Sequence, residues 1–154
     1  MSKLIAVTHE DPVLRTFMLF MQIGQAAYKY SDNRLSQNSE VSAPVFVALK
    51  ALIMSGGTMS HTELAEWTNT RLNTITGLVD RMTRDGLVSV KRSLKDRRLV
   101  HVKITAKGRK AYAQASPVSR GIMERLMRGI DGKNIAQLEA LLNVMKANLE
   151  EPAS

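Results

Sequence analysis

Residues 71–105 read RLNTITGLVDRMTRDGLVSVKRSLKDRRLVHVKIT, and the spacing of their apolar side chains changes at Gly86. Before Gly86 the apolar residues recur about every 3.6 positions, as in an amphipathic helix, and after it they alternate as in strands. The first half therefore predicts a helix that begins near Arg71 and ends at Gly86, and the second half predicts a β-hairpin. The predicted apolar stripe of the helix consists of Leu72, Ile75, Leu78, Val79 and Met82.

The loop between the two predicted strands is strongly basic. It contains Arg92, Lys95, Arg97 and Arg98, with Asp96 among them. Cations this close repel one another unless anions lie nearby, and the phosphate backbone of a nucleic acid supplies many anions. Arginine side chains on a thin loop can also enter a minor groove, where the potential is negative. We expect Asp96 to orient one of the arginines rather than to contact a nucleic acid.

The net positive charge of the chain comes from the segment that contains the predicted helix and hairpin. The 154 residues carry a formal net charge of +8. Residues 71–110 contain twelve Lys and Arg against three acids, a net of +9, and the remaining residues have a net charge of −1. A localised excess indicates a surface that binds a polyanion. A solvated basic face is the alternative interpretation.

A second, short helix is predicted just before the one that begins near Arg71. Ser60 and Glu63 have the spacing of a capping box, and the polar sequence TNT interrupts the helix from Thr68. Two short helices joined by a tight turn form the helix-turn-helix pattern. The second helix can enter the major groove of DNA, where base edges present distinguishable donors and acceptors. Its predicted outward face carries Arg71, Asn73, Thr74, Gly77 and Arg81, although an ordinary solvated face is the alternative.

Two helices are predicted before the helix-turn-helix. Asp11 and Pro12 begin the first, which is expected to end near Asn33. The polar sequence SDNRLSQNSE is interpreted as a linker to a second helix, which opens at Ser42 and Pro44. Gly56 and Gly57 are expected to end that second helix.

Two more helices are predicted after the hairpin. Thr105 caps a helix that extends to about Arg128, and Asp131 caps the last helix. The terminal helices of the chain carry more apolar surface than a small winged domain can cover. We therefore expect a second copy of the chain to bury them, since symmetric dimers are the commonest oligomers. Packing onto the chain's own core is the alternative.

Composition argues against several other classes of protein. The chain has no cysteine, so it has no disulfide framework or thiolate metal site, and a cytoplasmic setting fits. The apolar run FMLFM is too short to span a membrane, and MSKLIAV lacks the cleavage site of a signal peptide. His9, His61 and His101 lie in separate elements without metal-ligand spacing, and no nucleophile elbow or phosphate loop is present. We expect no enzymatic activity, no metal, no cofactor and no membrane partner.

Residues 74–108 resemble the winged-helix signature of the MarR family of bacterial transcription regulators. The matching segments are LVDRM at 78–82, GLV at 86–88, DRR at 96–98 and TAKG at 105–108. The rest of the chain matches the family by helix order and length. The resemblance implies a single domain over residues 1–154, mainly α-helical with a small β-hairpin wing. Residues 42–105 would form the winged helix-turn-helix lobe that binds DNA, and residues 12–35 and 106–150 would form an α-helical dimerisation domain.

The resemblance also implies a mode of action. It implies a homodimer that binds double-stranded DNA at a pseudo-palindromic operator, and it favours repression. Arg71, Asn73, Thr74, Thr76 and Gly77 match the recognition-helix positions of the family, and Arg97 and Arg98 match its wing. Arg71 departs from the small capping residue that is common at the helix start. The alternative function is a winged helix used for protein–protein contact, which a cluster of +9 argues against.

A small apolar or aromatic effector is a further expectation. The family often binds such molecules between the dimerisation helices and the winged lobe. The helices that would line this crevice contribute Phe17, Met18, Met21, Phe46 and Met54. Methionine adapts its shape to irregular apolar ligands. A stripe of Met and Phe at helical spacing is also typical of plain core, and the sequence leaves both interpretations open.

Overall fold

The computed structural model describes residues 10–92 and 100–150. They fall into two units, one ending at Ile122 and one beginning at Met123. The elements are α1 Pro12–Asn38, α2 Ala43–Met54, β1 Thr58–Ser60, α3 His61–Trp67, α4 Leu72–Arg84, β2 Val88–Arg92, β3 Val100–Ile104, α5 Ala106–Leu126 and α6 Gly132–Glu150. The expectation of a mainly helical fold with a small β-hairpin is confirmed.

Helix α1 extends further than the sequence suggested. Its N-cap is Asp11, whose side chain accepts a hydrogen bond from the Val13 N–H at 2.8 Å. The predicted end near Asn33 is wrong, because the helix continues to Asn38. The polar residues there include no glycine or proline to break the helix, and Leu35 anchors this turn by burying all but 2% of its surface.

The sheet has one strand more than the predicted hairpin. Strands β2 and β3 pair antiparallel with Val90 opposite Val102, which confirms the hairpin. The additional strand, β1, pairs with the other side of β3, so the strand order is β1-β3-β2. The sequence pattern missed β1 because three residues are too few to reveal an alternation of apolar and polar side chains.

The core of the first unit holds the helix-turn-helix in place. Its most deeply buried side chains come from α2, α3, α4 and β3, namely Leu49, Leu52, Leu64, Ile75, Val79, Met82 and Val102. Three of these belong to α4, so one face of that helix is fixed against the core. The capping box predicted for α3 is confirmed, because the Ser60 N–H donates to Glu63 Oε2 and the Glu63 N–H donates to Ser60 Oγ. The outer face of α4 is left free of packing.

The connection that follows α4 is docked against the start of α5. Gly86 adopts a left-handed φ of +72°, which ends the helix and turns the chain into β2. The Thr105 hydroxyl donates to the carbonyl oxygen of Gly86 at 2.8 Å and accepts from the Gly108 N–H at 3.0 Å. Lys107 Nζ donates to the carbonyl oxygen of Asp85 at 2.8 Å. The hydrogen bonds from Thr105 and Lys107 therefore join the start of α5 to the residues that follow α4.

The second unit contains the end of α5 and all of α6. Asp131 caps α6 as predicted, because its side chain accepts from the Asn134 N–H at 2.8 Å. Every residue of α6 is exposed, including apolar side chains such as Ile135, Leu141, Val144 and Leu149. No helix within the described ranges is both long enough and apolar enough to cross a membrane.

Candidate nucleic-acid interface

The outer face of α4 presents the side chains that the sequence assigned to it. All six predicted contact residues of this helix and its N-cap are exposed: Arg71, Asn73, Thr74, Thr76, Gly77 and Arg81. They project from a helix whose opposite face is buried through Ile75, Leu78, Val79 and Met82. The core therefore fixes which side of α4 a duplex could reach.

The polar groups on this face are available to a ligand. Within the described part of the chain, the side chains of Arg71, Asn73 and Arg81 have neither a hydrogen-bond partner nor an ion pair. Arg71 occupies the N-cap position without capping the helix through its side chain. Asn can bond the edge of adenine in two places, and Arg can do the same with guanine or bond a phosphate. These three groups can therefore exchange water for nucleic-acid contacts without breaking protein contacts.

Gly77 leaves the backbone of α4 uncovered by a side chain in the middle of the outer face. A Cβ atom built at this position would meet no other atom within 4 Å. The absence of a side chain is thus not required by packing inside the protein. It lets the backbone of α4 come close to another molecule.

The turn between α3 and α4 is held by local hydrogen bonds. Asn69 adopts a left-handed φ of 48°, which is the region where Asn is tolerated more readily than most residues. The Thr68 hydroxyl donates to the carbonyl oxygen of Leu64 at 2.7 Å, and the Thr70 hydroxyl donates to that of Thr68 at 3.1 Å. These bonds fix the end of α3 and the turn that leads into α4.

Most of the predicted wing contacts lie outside the described residues. Lys95, Asp96, Arg97 and Arg98 fall within residues 93–99, and the side chain of Arg92 is likewise outside the description. The backbone of Arg92 pairs with Val100, so the strands place the two ends of this basic loop side by side.

The described part of the wing adds two cations to the same hairpin. Lys91 and Lys103 are both exposed on strands β2 and β3. Lys91 lies opposite His101, and Lys103 lies opposite Ser89 on one side and Thr58 on the other. The described strands of the hairpin therefore carry positive charge on the polar face of the sheet.

Leu72 corrects one prediction about α4. The sequence placed it in the buried stripe, but 48% of its surface is exposed. It is the first residue of the helix and lies at the edge of the face formed by Ile75 and Val79, where the core no longer covers it. Leu72 lies at a helix start directly after a polar turn, and this position could have indicated that it is more exposed than the rest of the apolar stripe.

His61, at the start of α3, is partly buried. Its Nε2 has no hydrogen-bond partner within the described ranges. Burial lowers the pKa of the His61 imidazole, and the nearby Asp80 carboxylate opposes this by raising it. The net effect lowers the pKa, so the neutral imidazole is favoured over the charged one.

A pocket of about 610 Å³ lies beside α4, and three residues of its outer face, Thr74, Gly77 and Arg81, belong to the lining. Helices α1 and α2 contribute Tyr28, Pro44 and Val47, and the turn and α4 contribute Thr68, Thr70, Thr74, Ile75, Gly77, Leu78, Arg81 and Arg84. It combines an aromatic ring and aliphatic groups with two guanidinium groups. Pockets of this size and composition suit small aromatic molecules that carry a negative charge.

The five residues predicted to line an effector crevice do not line this pocket. Phe46 is buried in the core, where its ring stacks on Tyr112 with the ring centroids 5.1 Å apart. Phe17, Met18, Met21 and Met54 are 41–66% exposed, so they are not core of a single chain either. The sequence missed the pocket because its residues come from α1, α2 and α4, which are distant along the chain.

Comparison with known proteins agrees with this geometry. The model of the MarR family matches residues 41–100. The HTH-type transcriptional repressor IacR of Pseudomonas putida is 28% identical over 149 residues, which cover 93% of this chain and 89% of IacR. The transcriptional regulator BldR of Sulfolobus solfataricus has a similar structure, with a TM-score of 0.77 and 29% identity over 91% of this chain and 99% of BldR.

Two further structures share the fold, one of them a complex with DNA and the other of a protein whose DNA binding a small molecule regulates. A variant of MarR from E. coli in complex with operator DNA has a TM-score of 0.77 and 23% identity, over 86% of this chain and 94% of that one. Bordetella bronchiseptica BpsR, whose DNA binding is regulated by 6-hydroxynicotinic acid, has a TM-score of 0.70 and 24% identity, over 83% and 98%.

Proposed function

We propose that this chain, whose residues 41–100 match the model of the MarR family of transcription regulators, is a homodimeric repressor released by a small effector. In this proposal α4 lies in the major groove and the basic wing contacts the adjacent minor groove. The observation that carries the proposal is the outer face of α4, where Arg71, Asn73 and Arg81 lack protein partners within the described residues. Two symmetric lobes would read a pseudo-palindromic operator with half-sites about one helical turn apart.

The dimer is supported by the apolar surface that the chain exposes. Helix α1 exposes Val13, Leu14, Phe17, Met18, Leu19, Phe20, Met21, Ile23 and Tyr28, which include three aromatic rings. Helix α6 independently exposes a similar set along its whole length. Monomeric proteins rarely leave contiguous apolar surface of this kind in water, because burying it is favourable. A second copy supplies an equivalent surface to cover it.

The effector is supported by the pocket beside α4. Arg81 and Gly77 belong both to the lining of this pocket and to the outer face that would meet DNA. A molecule held there would compete for the Arg81 guanidinium and alter the position of α4. We propose an aromatic molecule with a carboxylate or phenolate group, because Tyr28 and Leu78 offer apolar contact and Arg81 and Arg84 offer positive charge. The reported regulation of BpsR by an aromatic acid fits this chemistry.

The experiment is a gel shift with the DNA upstream of the protein's own gene. The full chain is expected to retard this duplex and to be released by a subset of aromatic acids and phenols. Arg84→Ala lies in the pocket but outside the predicted DNA contacts, so it should weaken release more than DNA binding. If no duplex from this region or from a randomised pool is retarded, the proposed function is wrong. If DNA binds but no compound changes either affinity or melting temperature, the effector is wrong.

A further inference from the structure

An apolar strip borders the polar face of α4 at its N-terminal end. Leu72 is the first residue of the helix and is 48% exposed. The polar residues Arg71 and Asn73 flank it in sequence, and both are exposed. Because side chains on a helix tilt toward its N-terminus, Leu72 extends toward the end that enters a groove first in helix-turn-helix proteins.

Thr76 extends this apolar strip by one helical turn. It lies four residues after Leu72, which places the two side chains next to each other on the helix surface. The Thr76 hydroxyl donates a hydrogen bond to the carbonyl oxygen of Leu72 at 3.0 Å. Its one proton is therefore engaged within the helix, so the exposed side chain has no donor left for a partner and offers its methyl group and the acceptor lone pairs of its oxygen.

The strip differs chemically from the rest of the face. Asn73 and Arg81 can form hydrogen bonds with base edges, whereas Leu72 and the Thr76 methyl group can make only apolar contacts. In the major groove the C5 methyl group of thymine is the one apolar group that a base pair presents. An exposed apolar strip beside polar base-reading groups is thus matched to a thymine rather than to a phosphate or a guanine edge.

We propose that Leu72 and the Thr76 methyl group read the 5-methyl group of one thymine in each half-site. The inference rests on the proposed function, since it requires α4 to lie in the major groove. It adds a specificity-determining residue, Leu72, that the sequence had assigned to the core. Its ligand is a thymine methyl group rather than a hydrogen-bonding edge.

The test uses a duplex selected by the full chain from a randomised pool. Each thymine of the selected duplex is replaced in turn by deoxyuridine, which removes the methyl group and keeps every hydrogen-bonding group. Replacement at one position per half-site should lower the affinity of the parent protein about fourfold, the effect of losing one buried methyl group. Replacement at the other thymines should change affinity much less.

Two variants test whether Leu72 and Thr76 cause the loss of affinity that deoxyuridine produces. Leu72→Ala shortens the exposed side chain, and Thr76→Ser keeps the hydroxyl but removes the methyl group. Both should bind the thymine duplex more weakly, and both should show a smaller difference between thymine and deoxyuridine. Thr83→Ser is the matched control, because Thr83 forms the same kind of hydrogen bond, to Val79 at 2.8 Å, near the other end of α4. It should retain the full difference.

The possible outcomes separate this inference from the proposed function. If a duplex is selected but no deoxyuridine replacement lowers affinity, the thymine reading is overturned while DNA recognition stands. If Leu72→Ala lowers the melting temperature but retains the full deoxyuridine effect, Leu72 has only a packing role and the inference is again overturned. If no duplex is enriched, the proposed function fails and the inference fails with it.

Discussion

The Thr105 hydroxyl donates a hydrogen bond to the carbonyl oxygen of Gly86, 2.8 Å away, across 19 positions of sequence. This bond joins the residue that ends α4 to the residue that begins α5. The same hydroxyl oxygen accepts from the Gly108 N–H at 3.0 Å and lies 3.0 Å from the carbonyl oxygen of Leu87. The two ends of the hairpin are therefore held by one side chain, which also fixes the C-terminal end of α4.

Thr105→Val should destabilise the fold by about 1–2 kcal/mol, because the carbonyl oxygen of Gly86 and the partly buried Gly108 N–H both lose their partner. Chemical denaturation of the parent and the variant measures this difference. Thr105→Ser is the control, because it retains the hydroxyl and should recover most of the loss. Equal stabilities of the valine and serine variants would show that the hydroxyl does not hold the wing.

Two glycines of α5 should respond in opposite directions to alanine. At Gly108 a Cβ atom would collide with the carbonyl oxygen of Leu87 and would lie 2.9 Å from Ile104 Cγ1. Gly108→Ala should therefore cost about 1–3 kcal/mol or more through overpacking. At Gly121 nothing lies within 4 Å, so Gly121→Ala should stabilise the helix by up to about 1 kcal/mol. Thermal denaturation checks both changes, and a neutral Gly108→Ala would contradict the close approach of α5 to Leu87.

His61 should make stability depend on pH. Burial lowers the pKa of its imidazole, so the unfolded chain binds a proton at this residue more readily than the folded chain. The stability from the neutral ring is complete above the unfolded pKa of about 6.5 and is lost as pH falls from there through the folded pKa. The melting temperature of the parent should therefore fall more between neutral pH and pH 5 than that of His61→Gln.

A substitution of Asp80 tests whether His61 causes this pH dependence of stability. Its carboxylate raises the pKa of His61 and partly offsets the effect of burial. Asp80→Asn should therefore lower the His61 pKa further and increase the loss of stability at acidic pH. NMR titration of the His61 ring reports this directly, and a higher pKa in the asparagine variant would contradict the described proximity.

The exposed rings of α1 should be needed for the proposed homodimer. Phe20 is 45% exposed in the single chain, and Phe20→Asp would place a charge in an apolar interface. We expect this variant to sediment largely as a monomer at concentrations where the parent is a dimer. Gln25→Asp, at an exposed polar position of the same helix, is the control and should remain dimeric. A monomeric parent would contradict the proposed assembly.

The sequence predicted those features that repeat or that need a particular residue. The amphipathic period located α4, the capping box located α3, and the alternation after Gly86 located the hairpin, because each pattern spans several residues with one physical cause. Strand β1 was missed because three residues show no period. The end of α1 was misplaced because polar residues continue a helix when one residue, Leu35, is buried.

The exposure of the outer face of α4 was predicted correctly, whereas the pocket was not predicted. Exposure of Asn73, Thr74 and Arg81 follows from the position of the apolar stripe on the same helix. The pocket beside α4 depends on Tyr28 and Pro44, which only tertiary packing brings near Arg84. Leu72 was misassigned because its spacing fits the stripe, whereas its exposure depends on where the core ends.

The salt dependence of DNA affinity tests the central claim most directly, namely that two copies present α4 and the cationic wing to one duplex. Fluorescence anisotropy of the full chain with a selected duplex, between about 50 and 200 mM salt, should give a log–log slope of several units. Arg98→Ala should reduce the size of this slope by about two units, one for each subunit, and Arg120→Ala on α5 should not change it. A slope near zero for the parent, or an unchanged slope in Arg98→Ala, would contradict the account.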